Sequence, residues 1–318
     1  MAEKSVQIKN INAGIFYTMA GSWAIALKNL GINIVWNFMP KERIHGINYQ
    51  EVFHLNFPKV LVTDKYEEIC DNKVDIIVGS PPCVGMSSAN KSSSLNHVAN
   101  LATLHFSIVV DVLRPKAFIM EMVPMIITPK FKPLFDEYKK NFENNYNFQY
   151  QIIKFEDYGV PHHRKRFIII GIRKDLEKDV VFPIPSFFAT TVKMAFSKLP
   201  RLTEEEAIRQ NLTIKFNPKW KGSWSAYLRP SNPYQLRWDK IAPCVTALDT
   251  FYFKHPDFLL EDKAYRRLIT WREAARLQEF PDDFQFIGRH GDKIREVAWG
   301  VPCIGICYFI QEALKLIR

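Results

Sequence analysis

Asp75-Ile76-Ile77-Val78-Gly79-Ser80-Pro81-Pro82-Cys83 is the stretch that decides the fold. Val74–Val78 reads as a continuous strand of the kind buried on both faces. Gly79 and two prolines stop it abruptly and lead into a polar loop, Ser87-Ser88-Ala89-Asn90-Lys91-Ser92. The cysteine therefore sits at the carboxyl end of a buried strand, where open parallel sheets bind their ligands.

The same alternation extends in both directions. Upstream, Ile11–Tyr17 and Ile32–Asn37 read as strands around a helix at Ser22–Leu30. Downstream, helices are expected at His97–Leu113 and Phe131–Asn141, with strands at Ala117–Glu121, Phe148–Phe155 and Phe167–Ile172. Strands joined by helices predict an α/β protein whose mostly parallel sheet is covered by helices on both faces. From about Pro183 to Lys240 the periodicity fades, and Pro, Asn, Lys and Trp become frequent, as in Asn217-Pro218-Lys219-Trp220-Lys221-Gly222-Ser223-Trp224. Basic residues among tryptophans suit a nucleic-acid surface, and equally a loop-rich lobe held by buried aromatics. Regular periodicity returns with an amphipathic helix at Thr270–Glu279, opened by a good capping residue, and a C-terminal helix at Gly305–Ile317. The expected organisation is a catalytic domain over 1–182, a small recognition lobe over 183–245, and a segment over 246–318 that returns to the catalytic domain.

A chain of 318 residues with 24 Phe and 12 Tyr can bury a substantial core without disulfides or structural metals. Five cysteines, an odd number, fit no disulfide framework, so reduced thiols and an intracellular, cytoplasmic setting are expected. MAEKSVQIKN lacks the apolar stretch of a signal peptide, and Ala298–Ile310 is too short to span a bilayer, so no membrane partner is expected. The net charge of +10 points to a polyanionic partner if the basic residues cluster at a site.

Cytosine illustrates what a cysteine at such a strand end can do. Its C5 is a poor nucleophile until a thiolate adds at C6 and loads electron density onto C5. That chemistry needs the cysteine, an acid at the N3 edge, cationic donors for base and phosphates, and a base extruded from the stack. Other motifs carry an acid and two arginines. Glu121 lies in Phe118-Ile119-Met120-Glu121-Met122-Val123, and two arginines lie in Tyr158-Gly159-Val160-Pro161-His162-His163-Arg164-Lys165-Arg166. Later come Leu236-Arg237-Trp238-Asp239-Lys240-Ile241-Ala242-Pro243-Cys244-Val245-Thr246, His255-Pro256 and Leu268-Ile269-Thr270-Trp271-Arg272-Glu273-Ala274-Ala275-Arg276-Leu277-Gln278-Glu279-Phe280-Pro281-Asp282.

In this order and spacing, the chain resembles the DNA cytosine-C5 methyltransferases throughout its length. The resemblance implies a Rossmann-like methyltransferase fold with a small DNA-recognition lobe, and DNA as partner. It implies Cys83 as nucleophile, Glu121 holding N3, and Arg164 and Arg166 orienting the base and strand; a structural ion pair of Arg164 with Glu121 is the rival reading. Ser87, Lys91, His163, Lys165, Arg229, Arg237 and Thr246 are the expected DNA contacts. The family's Glu-Asn-Val motif carries Met122 in place of Asn, and its Gln-x-Arg-x-Arg motif carries His162 in place of Gln.

The resemblance weakens on the cofactor side. The family's Phe-x-Gly-x-Gly-Gly motif, which opens the S-adenosylmethionine pocket, is Phe16-Tyr17-Thr18-Met19-Ala20-Gly21 here. Its acid after the second strand is replaced within Val35-Trp36-Asn37-Phe38-Met39-Pro40-Lys41, with Glu42 slightly later. Its Gly-Asn-Ala-Val-Pro motif is Ala298-Trp299-Gly300-Val301-Pro302, so Trp299 is expected to project into cofactor space. Phe16, Gly21 and Asp64 remain as cofactor-binding candidates. An intact cytosine-attacking half beside an eroded pocket predicts an enzyme with no cofactor, deaminating cytosine to uracil in DNA once the C6 adduct frees the C4 amine to leave. The alternatives are an S-adenosylmethionine-dependent methyltransferase with an unusual pocket and a non-catalytic DNA-binding subunit. RNA stays open as a substrate, as does a partner subunit, with a monomer expected. Zinc-dependent deamination is excluded, because no histidine is followed two residues on by Glu, and Pro302-Cys303-Ile304-Gly305-Ile306-Cys307 spaces its cysteines one residue too far apart.

Overall fold

The computed structural model describes residues 11–41, 46–86, 92–200, 202–210, 212–215, 234–247, 250, 253–258 and 265–318. The chain forms two compact units. The first takes the chain up to Lys154, then Lys165–Pro185 and Cys303–Arg318; the second takes Phe155–Arg164 and Ser186–Pro302. The division differs from the expected one at 182 and 245. The second unit holds the chain as far as Pro302 and also takes Phe155–Arg164.

The first unit runs β1 (Asn12–Phe16), α1 (Ser22–Asn29), β2 (Asn33–Phe38), α2 (Tyr49–Asn56), β3 (Leu61–Thr63), α3 (Tyr66–Cys70), β4 (Ile76–Gly79), α4 (Asn100–Leu113), β5 (Ala117–Met122), α5 (Lys132–Glu143), β6 (Tyr146–Lys154) and β7 (Lys165–Arg173), and closes with the C-terminal helix Cys307–Ile317. Its seven strands are ordered β3-β2-β1-β4-β5-β7-β6. The first five are parallel to one another, and β7 runs antiparallel to both β5 and β6. The α/β expectation holds, with an antiparallel end to a mostly parallel sheet. The strand order reverses direction between β1 and β4, which makes the carboxyl ends of those two strands the topological switch point.

Packing at that point is close. Phe16 and Gly79 are register partners, and a Cβ on Gly79 would lie 2.1 Å from the Phe16 carbonyl oxygen. Only glycine lets the strands finish this near each other, so that Ser80 N–H can donate to the carbonyls of Phe16 and Tyr17 at 3.2 Å. On one face of the sheet, Phe106, Val110, Phe135 and Phe142 from α4 and α5 pack with Phe118, Met120 and Phe167. Phe118 and Phe142 stack with centroids 4.3 Å apart. Alternation sends Ile119 and Glu121 to the other side of β5. None of the five cysteines forms a disulfide, and among the described residues no helix is long and apolar enough to cross a membrane.

The second unit contains α6 (Val192–Ala195), α7 (Glu204–Arg209), β8 (Thr213–Lys215), β9 (Lys254–Phe258), β10 (Tyr265–Leu268), α8 (Trp271–Leu277) and α9 (His290–Ala298). Its small antiparallel sheet has the order β8-β10-β9. Pro256 is tolerated in β9 because that strand is an edge. A buried network holds this sheet to α8. Arg267 donates from both terminal nitrogens to Glu273, at 2.8 and 2.6 Å, and His255 Nε2 lies 3.4 Å from the same carboxylate. Burial alone would push the Glu273 carboxyl up, but the Arg267 pair outweighs it and holds the group below the usual range.

As the sequence predicts, Thr270 caps α8. Its hydroxyl accepts Glu273 N–H at 3.0 Å, while the Glu273 carboxylate accepts Thr270 N–H at 2.8 Å. Thr270→Ala is expected to destabilise the protein by about 1 kcal/mol. A lowered midpoint in thermal unfolding, with Thr270→Ser near wild type, is the check.

Candidate active site

Cys83 is half-buried at the end of the Ser80–Cys83 loop and rests against the main core. Its carbonyl accepts Met86 N–H at 3.0 Å, a tight turn that fixes the residue's backbone. The start of the loop is tied down by Ser80, whose hydroxyl accepts the Trp23 indole N–H at 2.8 Å. Beyond the turn, the buried Asn100 donates to the carbonyls of Ser94 and Leu95. Ser87 and Lys91 lie outside the described residues, as does Arg229.

Glu121 occupies the carboxyl end of β5, the strand next to β4, with Gly79 paired to Met120. Two neighbouring parallel strands thus lead to Cys83 and Glu121 at the same edge of the sheet. Glu121 is buried, and its partner is Arg166 on β7, with Nε to Oε1 at 2.7 Å. Register explains the pairing. Glu121 lies opposite Ile168, so Arg166, two residues away, is its diagonal neighbour on the same face. Met122, in place of the family's Asn, faces the other way into the core and receives the Thr103 hydroxyl at its sulfur. The substitution therefore leaves Glu121 in place.

Arg164 departs from its expected role. It is buried, and its guanidinium donates to three backbone carbonyls of the second unit: Val245 (3.3 Å), Ala298 (3.4 Å) and Gly300 (2.8 Å). These bonds commit both of its terminal nitrogens to protein backbone. His162 is fully buried too, and its Nδ1 accepts Val245 N–H at 3.2 Å. Only His163 and Lys165, between them and beyond them, are exposed. His163 Nδ1 lies 3.0 Å from Glu156, whose other oxygen accepts the Arg164 backbone N–H. Thr246 is half-buried, and its N–H donates to Thr250 Oγ1 at 2.8 Å. Arg237 is exposed and paired with Asp239. Sequence reading missed Glu156 and Gln278, which donates to the Gly300 carbonyl beside Arg164. Glu156 stands in no quoted motif, and Gln278 lies within the Leu268–Asp282 stretch without being singled out there.

On the cofactor side, the loop from β1 to α1 turns through three positive φ angles: Tyr17 at 60°, Met19 at 55° and Gly21 at 128°. The retained glycine is the one whose backbone needs it. Thr18 and Ala20, where glycine is lost, lie outside the left-handed region, so their side chains do not forbid the loop's path. Thr18 Oγ1 accepts Trp23 N–H at 3.0 Å and ties the loop to α1. Asp64 is exposed just beyond β3. Asn37, near the end of β2, is fully buried with neither side-chain polar atom hydrogen-bonded. Phe16 is likewise fully buried, stacked on Phe38 with centroids 4.9 Å apart, and belongs to the core rather than to an open adenine platform. Trp299 caps the C-terminal end of α9 in the second unit, and Glu42 lies outside the described residues. An exposed carboxylate, a buried amide with unmet hydrogen bonds and a loop that keeps its left-handed turns fit a polar adenosyl ligand.

Residues 16–315 match the family described as C-5 cytosine-specific DNA methylase. The type II methyltransferase M.MthTI of Methanothermobacter thermautotrophicus is 29% identical, over 97% of this chain and 96% of its own length. M.Sau96I of Staphylococcus aureus is 25% identical, over 96% of this chain and 76% of its own. Among solved structures, the methyltransferase EhMeth of Entamoeba histolytica superposes with a TM-score of 0.71 at 16% identity, covering 98% of this chain and 99% of that one, a likeness of fold. These matches overturn the expectation that no cofactor is needed, because methylases transfer a methyl group that a donor must bring. The erosion argument fails at the β1–α1 loop, where the lost glycines are not the ones the backbone requires.

Proposed function

Since this chain belongs to the C-5 cytosine-specific DNA methylase family, we propose that it is an S-adenosylmethionine-dependent methyltransferase acting on C5 of cytosine in DNA. The observation that carries the reading is the shared edge of β4 and β5: Cys83 lies in the loop that follows β4, and Glu121, held by Arg166, lies at the end of β5.

The thiolate of Cys83 adds to C6 of a flipped-out cytosine and turns C5 into a nucleophile. Negative charge then develops on the ring, and the N3 edge is the one Glu121 holds. Arg166 at 2.7 Å keeps that carboxyl in one orientation and balances its charge. S-adenosylmethionine supplies the electrophilic methyl group. The residues that would hold it are Asp64, Asn37 and the backbone of Tyr17–Gly21. Once C5 carries the methyl group, its proton passes to water and the Cys83 thiolate leaves C6, which restores the aromatic ring and frees the enzyme.

The relatives named above are methyltransferases by name, which favours methyl transfer over deamination. The two chemistries leave different nucleosides. Purified protein incubated with cytosine-rich duplex DNA and S-adenosylmethionine is expected to yield 5-methyldeoxycytidine on nucleoside mass spectrometry, and none without the donor. Deoxyuridine formed without the donor would overturn the reading.

A further inference from the structure

Both backbone polar groups of Val245 are held by side chains from one short segment. His162 Nδ1 accepts its N–H at 3.2 Å, and Arg164 Nη1 donates to its C=O at 3.3 Å. The segment is anchored alongside: Ala242 N–H donates to the Pro161 carbonyl and His163 N–H to the Ala242 carbonyl, both at 2.9 Å. Val245, His162 and Arg164 are all buried, so these bonds form where an unmet backbone group is costly. The next residue is Thr246, whose N–H is fixed from the other side by the buried Thr250 hydroxyl. Five hydrogen bonds thus fix Ala242, Val245 and Thr246, and the run ends on one half-buried threonine. Such rigidity is superfluous for a surface loop and useful for a hydroxyl that must meet a phosphate oxygen at a set position.

We propose that His162 and Arg164 are positioning residues that fix Thr246 against the DNA backbone, and that neither touches nucleic acid itself. The proposal rests on the reading of the chain as a DNA-binding enzyme. It also explains why a histidine can stand where the family has glutamine. A ring nitrogen and an amide oxygen both accept an N–H, whereas an apolar side chain of similar size cannot. The acceptor role at Nδ1 places the ring proton on Nε2.

The test is a double-mutant cycle on binding of a fluorescein-labelled cytosine-containing duplex, with steady-state kinetics alongside. His162→Leu and Thr246→Ala are each expected to weaken DNA affinity and raise KM for DNA about tenfold, the cost of one hydrogen bond to a charged group. His162→Leu in the Thr246→Ala background should add less than a twofold loss, because its effect runs through Thr246. His162→Gln should return affinity to within about threefold of wild type by restoring the acceptor. Losses that multiply, or a His162→Leu protein that melts normally and binds DNA as well as wild type, overturn the proposal. So does failure of glutamine to rescue a protein that melts normally. A wild-type protein that binds no duplex removes the DNA reading itself, and the positioning role with it.

Discussion

Cys83→Ala is expected to lower methyl transfer by on the order of 10^4-fold or more, the scale of losing a covalent nucleophile. Cys303 and Cys307 are buried in the first unit, the Cys307 thiol against the carbonyls of Cys303 and Ala26. The same variant should keep its fold. Cys83 is half-buried, and removing one sulfur from such a site changes stability by roughly 1 kcal/mol or less. The two readouts therefore separate: activity falls to background while the melting temperature and the affinity for S-adenosylmethionine stay near wild type. Duplex DNA carrying 5-fluorocytosine gives the positive form of the experiment. Fluorine at C5 cannot leave as a cation, so the adduct cannot eliminate, and wild-type protein should run as a covalent complex that Cys83→Ala does not form. Activity within tenfold of wild type in the alanine variant would sink the assignment of Cys83.

The parts of the fold that could be read in advance are those whose cause is local. β1, β2, β4, β5 and β7 are apolar runs between turn signals, and the structure places them within a few residues of where the pattern does. β3 escaped because three residues, Leu61–Thr63, are too short to show a period. β9, Lys-His-Pro-Asp-Phe, has no alternation at all; it is held by Trp238 to Asp257 and by His255 near Glu273, contacts that only the tertiary structure creates. α9 has few apolar residues and hid within a polar stretch. β9, β10 and α9 keep the second unit going to Pro302, past the expected boundary at 245.

The site shows the same limit more sharply. Glu121 and Arg166 were legible as motif residues, and their pairing follows from strand register once β5 and β7 are known neighbours. Arg164 carries the same motif signal as Arg166, yet two residues along it leaves the sheet and turns to the carbonyls of Val245, Ala298 and Gly300. A motif states which residue types recur, not which of them faces the ligand. The β1–α1 loop makes a related point about glycine. Counting lost glycines predicts a broken pocket, but the count is blind to φ. The strain sits at Tyr17 and Met19, at about 1–3 kcal/mol each. Such strain persists only where surrounding contacts, such as Thr18 to Trp23 and Ser80 to Phe16, over-determine the backbone.

Glu296→Gln is expected to stabilise the protein increasingly as pH rises, by roughly 3–5 kcal/mol at pH 9. Glu296 lies on α9 with no exposure to solvent. One carboxyl oxygen has no hydrogen-bond partner, and the other accepts only a long 3.4 Å bond from Ile287 N–H. Desolvation is the main cause that pushes its carboxyl from the ordinary 4.5 up to about 8, with the nearby Asp292 adding to it. Across the window between those two values the folded protein keeps a proton that the unfolded chain has released. Stability from this group is thus fully present below pH 4.5, drains away as pH climbs, and is gone once pH passes the folded value near 8. Glutamine has nearly the same shape and no charge to desolvate, so it escapes the loss. Thermal unfolding at pH 5.5, 7 and 9 should show the variant pulling ahead of wild type by several degrees at the top of the range, with the two close together at the bottom. The direction is opposite to that of a salt-bridged carboxylate such as Glu273, whose lowered value makes it lose stability toward acid. A gap between Glu296→Gln and wild type that stays constant with pH would mean that Glu296 ionises freely in the fold, and that water reaches an oxygen this structure leaves buried.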